Sequence, residues 1–125
     1  MTEHAGVVRD GDGLRAGVAE LAVIEKRMEA VGIPPGIAGH RDLTHAFDLR
    51  SAALAARATL ESALERRETR GCHNRGDCPG PDSAPRVNLV WSPTTGVTRS
   101  EDIPAVPEEI SALMEEVSTT GKPVE

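Results

Sequence analysis

The stretch from about Asp42 to Thr69 reads as one unbroken helix, and it limits what the rest of the chain can become. Leu49, Ala53, Ala56, Leu60 and Leu64 fall on one stripe of that helix, and Phe47, Leu54 and Ala58 on a neighbouring one. At 1.5 Å per residue the element is roughly 40 Å long. Its small side chains let a second backbone approach closely, and two apolar stripes predict contacts on more than one side. The composition points the same way. With one Phe, one Trp and no Tyr in 125 residues, the core has to come from Leu, Val, Ile and Ala. That favours close helix packing over a thick β-sandwich, so the expected fold class is mainly α.

The other elements are shorter. Leu14, Val18, Leu21, Ile24 or Glu25, Met28 and Val31 line one face of a helix from about Leu14 to Val31. Gly32 is its expected stop, and "GIPPGIAGH" is a connector rich in helix breakers. After the long helix, Gly71 is the expected C-terminal stop, with Arg66, Arg67 and Arg70 at the negative end of the helix dipole. "CPGPDSAP" excludes regular structure. "RVNLVW" alternates Val87, Leu89 and Trp91 against mostly polar neighbours, and "VTRSEDI" returns beside it, giving a hairpin near residues 86–102. "PAVPEEISALMEEV" reads as a final helix with Pro107 at its start. Ile110, Leu113, Met114 and Val117 form its expected buried side. Residues 118–125 read as a flexible tail.

A length of 125 residues suits one domain with a modest core. The net charge of −6 argues against a nucleic-acid partner, which needs a cationic surface. No run of about 18 apolar residues exists, so no direct membrane insertion is expected. "MTEHAGVVRDG" lacks the basic start and apolar stretch of a secretory signal. The expectation is a soluble cytoplasmic protein, or a soluble part of a larger one.

Three patterns invite chemistry. "GDGLRAG" imitates a dinucleotide fingerprint, but its third glycine comes one place late, and no preceding strand or following parallel sheet is legible. A loop and helix start is the simpler reading. Cys72 and Cys78 have five residues between them, with no second ligand pair at zinc-site spacing, so two packed thiols outweigh a zinc site or a disulfide. His73, beside Arg70, Arg75 and Asp77, has the surroundings of a tuned acid–base group, yet no nucleophile or oxyanion site accompanies it. The segment reads instead as a turn after a helix, bearing arginine forks suited to docking one domain onto another.

"RRETRGCHNRGDCP" resembles the signature R-x-E-S-R-G-x-H-x-R-x-D-Y/F-P of flavoprotein subunits of succinate dehydrogenase and fumarate reductase. L-aspartate oxidase has a similar E-S-R-G-x-H element, and Arg75 is closer to the dehydrogenase and reductase version. The matching positions are Glu68, Arg70, Gly71, His73, Arg75, Asp77 and Pro79. Thr69 replaces the usual serine but keeps a hydroxyl, and Cys78 replaces the usual aromatic. "MTEHAGVVRDGDGL", "RDLTHAFDLRSAALAARATLESALERR" and "VNLVW…GVTRSEDIPAVP" look like the flanking segments of the family's C-terminal helical domain, so the likeness covers roughly residues 1–117.

The resemblance implies a three-helix-bundle, spectrin-repeat-like C-terminal domain over residues 1–117, with the hairpin and terminal helix attached. It implies part of an FAD-dependent oxidoreductase that interconverts C4 dicarboxylates, with the flavin-binding and capping domains outside this sequence. The implied cofactor of the full-length enzyme is FAD, with none held in this chain, which is not expected to be active by itself. The implied partners are the flavin-binding domain or subunit and an iron–sulfur subunit, the latter placing the assembly at the inner face of a membrane. No catalytic, cofactor-binding or metal-binding residue is assigned here. Glu68, Arg70, His73, Arg75 and Asp77 carry an expected interdomain docking role, and replacing Arg70 or Arg75 is expected to leave the isolated domain nearly unchanged. Two alternatives stand beside this reading: a fragment of an L-aspartate oxidase-type flavoenzyme, or a small helical interaction protein stapled by metal at Cys72, His73 and Cys78.

Overall fold

A computed structural model describes residues 3–82, 87–100 and 105–120. The element order is β1 (Val8–Arg9), α1 (Gly11–Met28), α2 (Ile37–Glu65), β2 (Asn74–Arg75), β3 (Asn88–Ser92), β4 (Gly96–Ser100) and α3 (Glu108–Thr120). The chain is thus mainly helical with a short antiparallel hairpin.

α1 and α2 pack antiparallel, and their seam is the core. Leu14 and Leu60 are almost completely buried; Leu21, Ala53 and Ala63 join them, with Val18, Met28, Ala56 and Leu64 packed alongside. The expected stripe of α2 therefore faces α1, apart from Leu49, which stays exposed. Close approach depends on Gly17, where an added Cβ would lie 2.8 Å from His4 Cβ and 3.0 Å from Leu60 Cδ2. Arg57 of α2 reaches across to the carboxylate of Glu25 and also holds Glu61 at 2.9 Å. These bonds, the one to Glu25 foremost, raise the Arg57 pKa above its usual value.

The second stripe of α2 has no such cover. Phe47 and Leu54 are exposed, as are Val31, Ile33 and Leu43 near the α1–α2 connection. The hairpin sits at the other end of α2. β3 and β4 pair in register from Asn88↔Ser100 to Ser92↔Gly96. Trp91 Nε1 donates to Glu61 (2.6 Å), and Arg99 donates to Glu65 (2.8 Å).

Several boundaries differ from the sequence expectation. α1 begins at Gly11 because the Asp10 side chain accepts from Gly13 N and caps the helix earlier than Leu14. It stops at Met28, where tighter bonds from Ala30 to Arg27 and from Val31 to Met28 close the last turn. α2 begins directly after the Pro34–Pro35–Gly36 breaker, and it ends at Glu65 with an extended Arg66. Gly71 does not stop this helix; its positive φ of 57° serves a separate turn beyond it.

α3 starts after Pro107, whose carbonyl accepts from Ile110 and Ser111, and it runs to Thr120. The expectation that its apolar side is buried does not hold at Ile110 and Met114, both exposed. An amphipathic pattern creates a face to bury but does not supply the surface that buries it. The side chains of Leu113 and Val117, residues 101–104 after the hairpin, and residues 121–125 of the expected tail lie outside the described residues.

Candidate functional site

The residues singled out by the sequence converge where α2 ends and α1 begins. An α-helix leaves its last carbonyls without intrahelical donors. Arg75, not one of the arginines adjoining α2, supplies them. Its Nη1 donates to the carbonyls of Ala63 (2.9 Å), Arg66 (3.1 Å) and Leu64 (3.3 Å). Its Nε and Nη2 form a bidentate pair with Asp77, both at 2.7 Å. Asp77 Oδ2 in turn accepts from Gly11 N at 2.9 Å. One fork thus joins the negative end of α2 to the positive end of α1, through a cation at the first and a carboxylate at the second.

Glu68 is a second junction. Its Oε1 accepts from Arg66 (2.6 Å), and its Oε2 accepts from Arg70 Nε (2.9 Å) and Asp82 N (3.0 Å). Burial by itself would raise its pKa, but the bonds from Asp82, Arg66 and Arg70 outweigh burial and bring it down to about 2. The Asp77 carboxyl is held well below the usual range, chiefly by Arg75.

Between these junctions the chain closes on itself. Arg70 and His73 exchange backbone hydrogen bonds, and Thr69 N donates to Gly80 O. The Thr69 hydroxyl accepts from Arg75 N (2.9 Å) and donates to Cys78 O (2.8 Å). The hydroxyl shared by Thr and Ser at this position is therefore a structural tie. His73 Nε2 donates to Arg66 O at 3.1 Å. Burial, followed by the positive charges of Arg9, Arg75 and Arg66, lowers its pKa despite that bond.

The five expected docking residues are thus brought together, but they do not all face outward. Glu68 and Arg75 are buried, and the groups they engage belong to this chain. The expectation that losing Arg75 leaves the isolated domain nearly unchanged did not include these contacts, in which Arg75 is donor to the α2 carbonyls and to Asp77. Arg70, His73 and Asp77 keep partial exposure.

The arrangement suits neither a metal nor a dinucleotide. Among the described residues no three His, Cys, Asp or Glu side chains lie together as ion ligands. Cys72 and Cys78 are free thiols. A strand that the sequence did not reveal does precede "GDGLRAG", and β1 pairs in parallel with β2. Yet it spans two residues, and the α1 N–H groups that would receive a pyrophosphate already donate to carboxylates, Gly11 to Asp77 and Gly13 to Asp10. The negative charge there repels phosphate, so the residues present do not fit the flavin dinucleotide. The signal for β1 was weak, since its pairing partner lies more than sixty residues away in sequence.

The chain is 37% identical over 83 residues to the fumarate reductase flavoprotein subunit of Mycobacterium tuberculosis, covering 66% of this chain and 14% of that protein. It is 37% identical over 84 residues to L-aspartate oxidase of Rhodospirillum rubrum, covering 67% of this chain and 24% of that one. An uncharacterized FAD-dependent oxidoreductase of Methanocaldococcus jannaschii is 30% identical over 90 residues, covering 72% of this chain and 16% of the relative. The chain thus spans under a quarter of the length of each of these relatives. Among solved structures, the Mycobacterium smegmatis Sdh1 complex with UQ1 shares the fold, with a TM-score of 0.70 at 23% identity, covering 100% of this chain and 22% of that one. Residues 1–121 match the family described as fumarate reductase flavoprotein C-term, and the chain belongs to that family.

Proposed function

We propose that the chain serves as the C-terminal helical domain of an FAD-dependent succinate dehydrogenase or fumarate reductase-type oxidoreductase. In this reading it packs on flavin-binding and capping domains and supports their oxidation or reduction of a dicarboxylate. The observation that carries the reading is the family match over residues 1–121, in relatives several times longer than this chain. The helix start at Gly11, with its donors engaged by carboxylates, supports placing FAD on the other domains.

The docking unit is residues 1–117, and the tail expected over 118–125 begins within the last turn of α3, which runs to Thr120. Arg70, His73 and Asp77 meet the flavin-bearing part directly, while Glu68 and Arg75 act from within by holding that loop in shape. The exposed Phe47, Leu54 and Ile24 support a third helix packed on the α1–α2 pair, completing a spectrin-repeat-like bundle. No helix among the described residues is long and apolar enough to cross a membrane. A cytoplasmic location, peripheral to the inner face of the membrane through an iron–sulfur subunit, is consistent with that.

Co-purification tests the proposal. The chain alone is expected to be colourless and to associate with a flavin-bearing polypeptide of this family that lacks the domain. Stoichiometric flavin absorbance in the isolated chain, or no association, would overturn it. The 37% identity to L-aspartate oxidase favours a second reading, a fragment of an enzyme of that type. Preferential association with an aspartate oxidase flavin domain over a fumarate reductase one would select it.

A further inference from the structure

Among the described residues Arg9 is an unmatched cation in a cluster whose other arginines are paired. β1 places it in register with Arg75 across the parallel pair, and its backbone is fixed because Arg9 O accepts from Gly76 N at 2.9 Å. Two guanidiniums in adjacent register repel each other unless anions intervene. Arg75 is matched by Asp77 and the α2 carbonyls. Arg66 and Arg70 are matched by Glu68. Arg9 Nε is buried and makes no hydrogen bond, and among the described residues its side chain has no ion pair.

The nearby carboxylates are already engaged: Asp77 by Arg75 and Gly11, Glu68 by two arginines and Asp82 N, and Asp10 by Gly13 N. A donor buried without an acceptor is destabilising, and the β1–β2 pairing fixes the point from which the Arg9 side chain extends. An acceptor brought from outside the cluster would satisfy it. A guanidinium matches a carboxylate by a planar, bidentate contact, and the Arg9 side chain is partly exposed.

We propose that Arg9 is a carboxylate-receiving site, occupied by an Asp or Glu side chain of the flavin-bearing part of the enzyme. The identity of that donor rests on the docking reading given above; the carboxylate site itself rests on the geometry of β1 and the engaged anions around it. The site extends the docking surface beyond the signature segment to the opposite end of the sequence.

The test has two arms. In the first, the chain is labelled with ¹⁵N at arginine and titrated with sodium acetate, against sodium chloride at equal ionic strength. The Arg9 Nε–H resonance is expected to move saturably with acetate, while those of Arg75 and Arg15 stay in place. An unmoved Arg9 resonance, or equal drift of all arginines, would overturn the site. In the second, Arg9→Gln is expected to weaken association with the flavin-bearing polypeptide by about 30-fold or more, with Arg9→Lys intermediate. Unchanged thermal unfolding of both variants is the check that the chain still folds.

Acetate binding with no loss of association in Arg9→Gln would overturn the named donor while leaving the carboxylate site. Failure of the unmodified chain to associate at all would overturn the docking reading and the named donor with it. The acetate titration would then decide the site by itself.

Discussion

The two ends of the α1–α2 pair solve opposite problems. At one end the α2 C-terminus, the α1 N-terminus and the segment from Thr69 to Gly80 tie one another together through Arg75, Asp77, Glu68 and Thr69. At the other end Val31, Ile33, Leu43 and Phe47 stand in solvent. The first region completes itself with charges drawn from its own sequence. The second presents a contiguous apolar face of the kind that marks an interaction surface. Conspicuous charge in a sequence is thus no guide to an outward-facing site, and the least conspicuous apolar residues can be the ones left uncovered.

The contrast can be broken by substitution. Arg75→Ala should have the largest effect, lowering the stability of the isolated chain by about 2–4 kcal/mol because helix-end carbonyls and Asp77 lose their donor together. Urea unfolding measures it, and an unchanged midpoint would return Arg75 to an outward docking role.

Acid should act on the same end. Glu68 falls from an ordinary pKa of 4.5 to about 2 in the folded chain, so the unfolded chain takes up its proton first. Its contribution is complete above about pH 4.5 and is lost as pH falls toward 2. The lowered pKa of His73 works in the same direction from a higher start, since the unfolded ring protonates near its ordinary value of 6.5. Urea midpoints should therefore decline in two stages as pH falls from 7, and a flat profile down to pH 3 would contradict the charge ties.

Smaller effects sharpen the comparison. Thr69→Val removes the hydroxyl between Arg75 N and Cys78 O and should cost about 1–2 kcal/mol, whereas Thr69→Ser should restore most of it. Arg70→Ala should cost only about 0.5–1 kcal/mol in the isolated chain, because its pair with Glu68 is partly solvated. Phe47→Ser at the far end should change stability by less than about 0.5 kcal/mol while weakening association with the flavin-bearing polypeptide. A large loss of stability from Phe47→Ser would mean that this residue already packs within the chain.

Much of this was legible beforehand. Helical spacing from Leu14 to Met28 and from Leu49 to Leu64 located the core seam, because periodicity of side chains is a local property of the chain. Alternation at Val87, Leu89 and Trp91 located the hairpin for the same reason. Burial was less legible: the periodic rule that correctly turned Leu60 inward also assigned Ile110 and Met114 to a covered side, and they are exposed. The residues expected to dock were picked out by their signature, and they divide into buried and partly exposed groups that spacing does not distinguish.

The amino-acid sequence by itself determined the helices, the hairpin and the family. Each depends on neighbours a few positions apart or on the identity of residues in a fixed string. Tertiary structure alone decided that Arg75 caps a helix ending ten residues earlier, that Asp77 reaches Gly11 from 66 positions away in sequence, and that Arg9 has no anion among the described residues. Those outcomes depend on which helix ends meet in space. A charge finds its partner by distance, and distance between remote residues is set only when the chain folds.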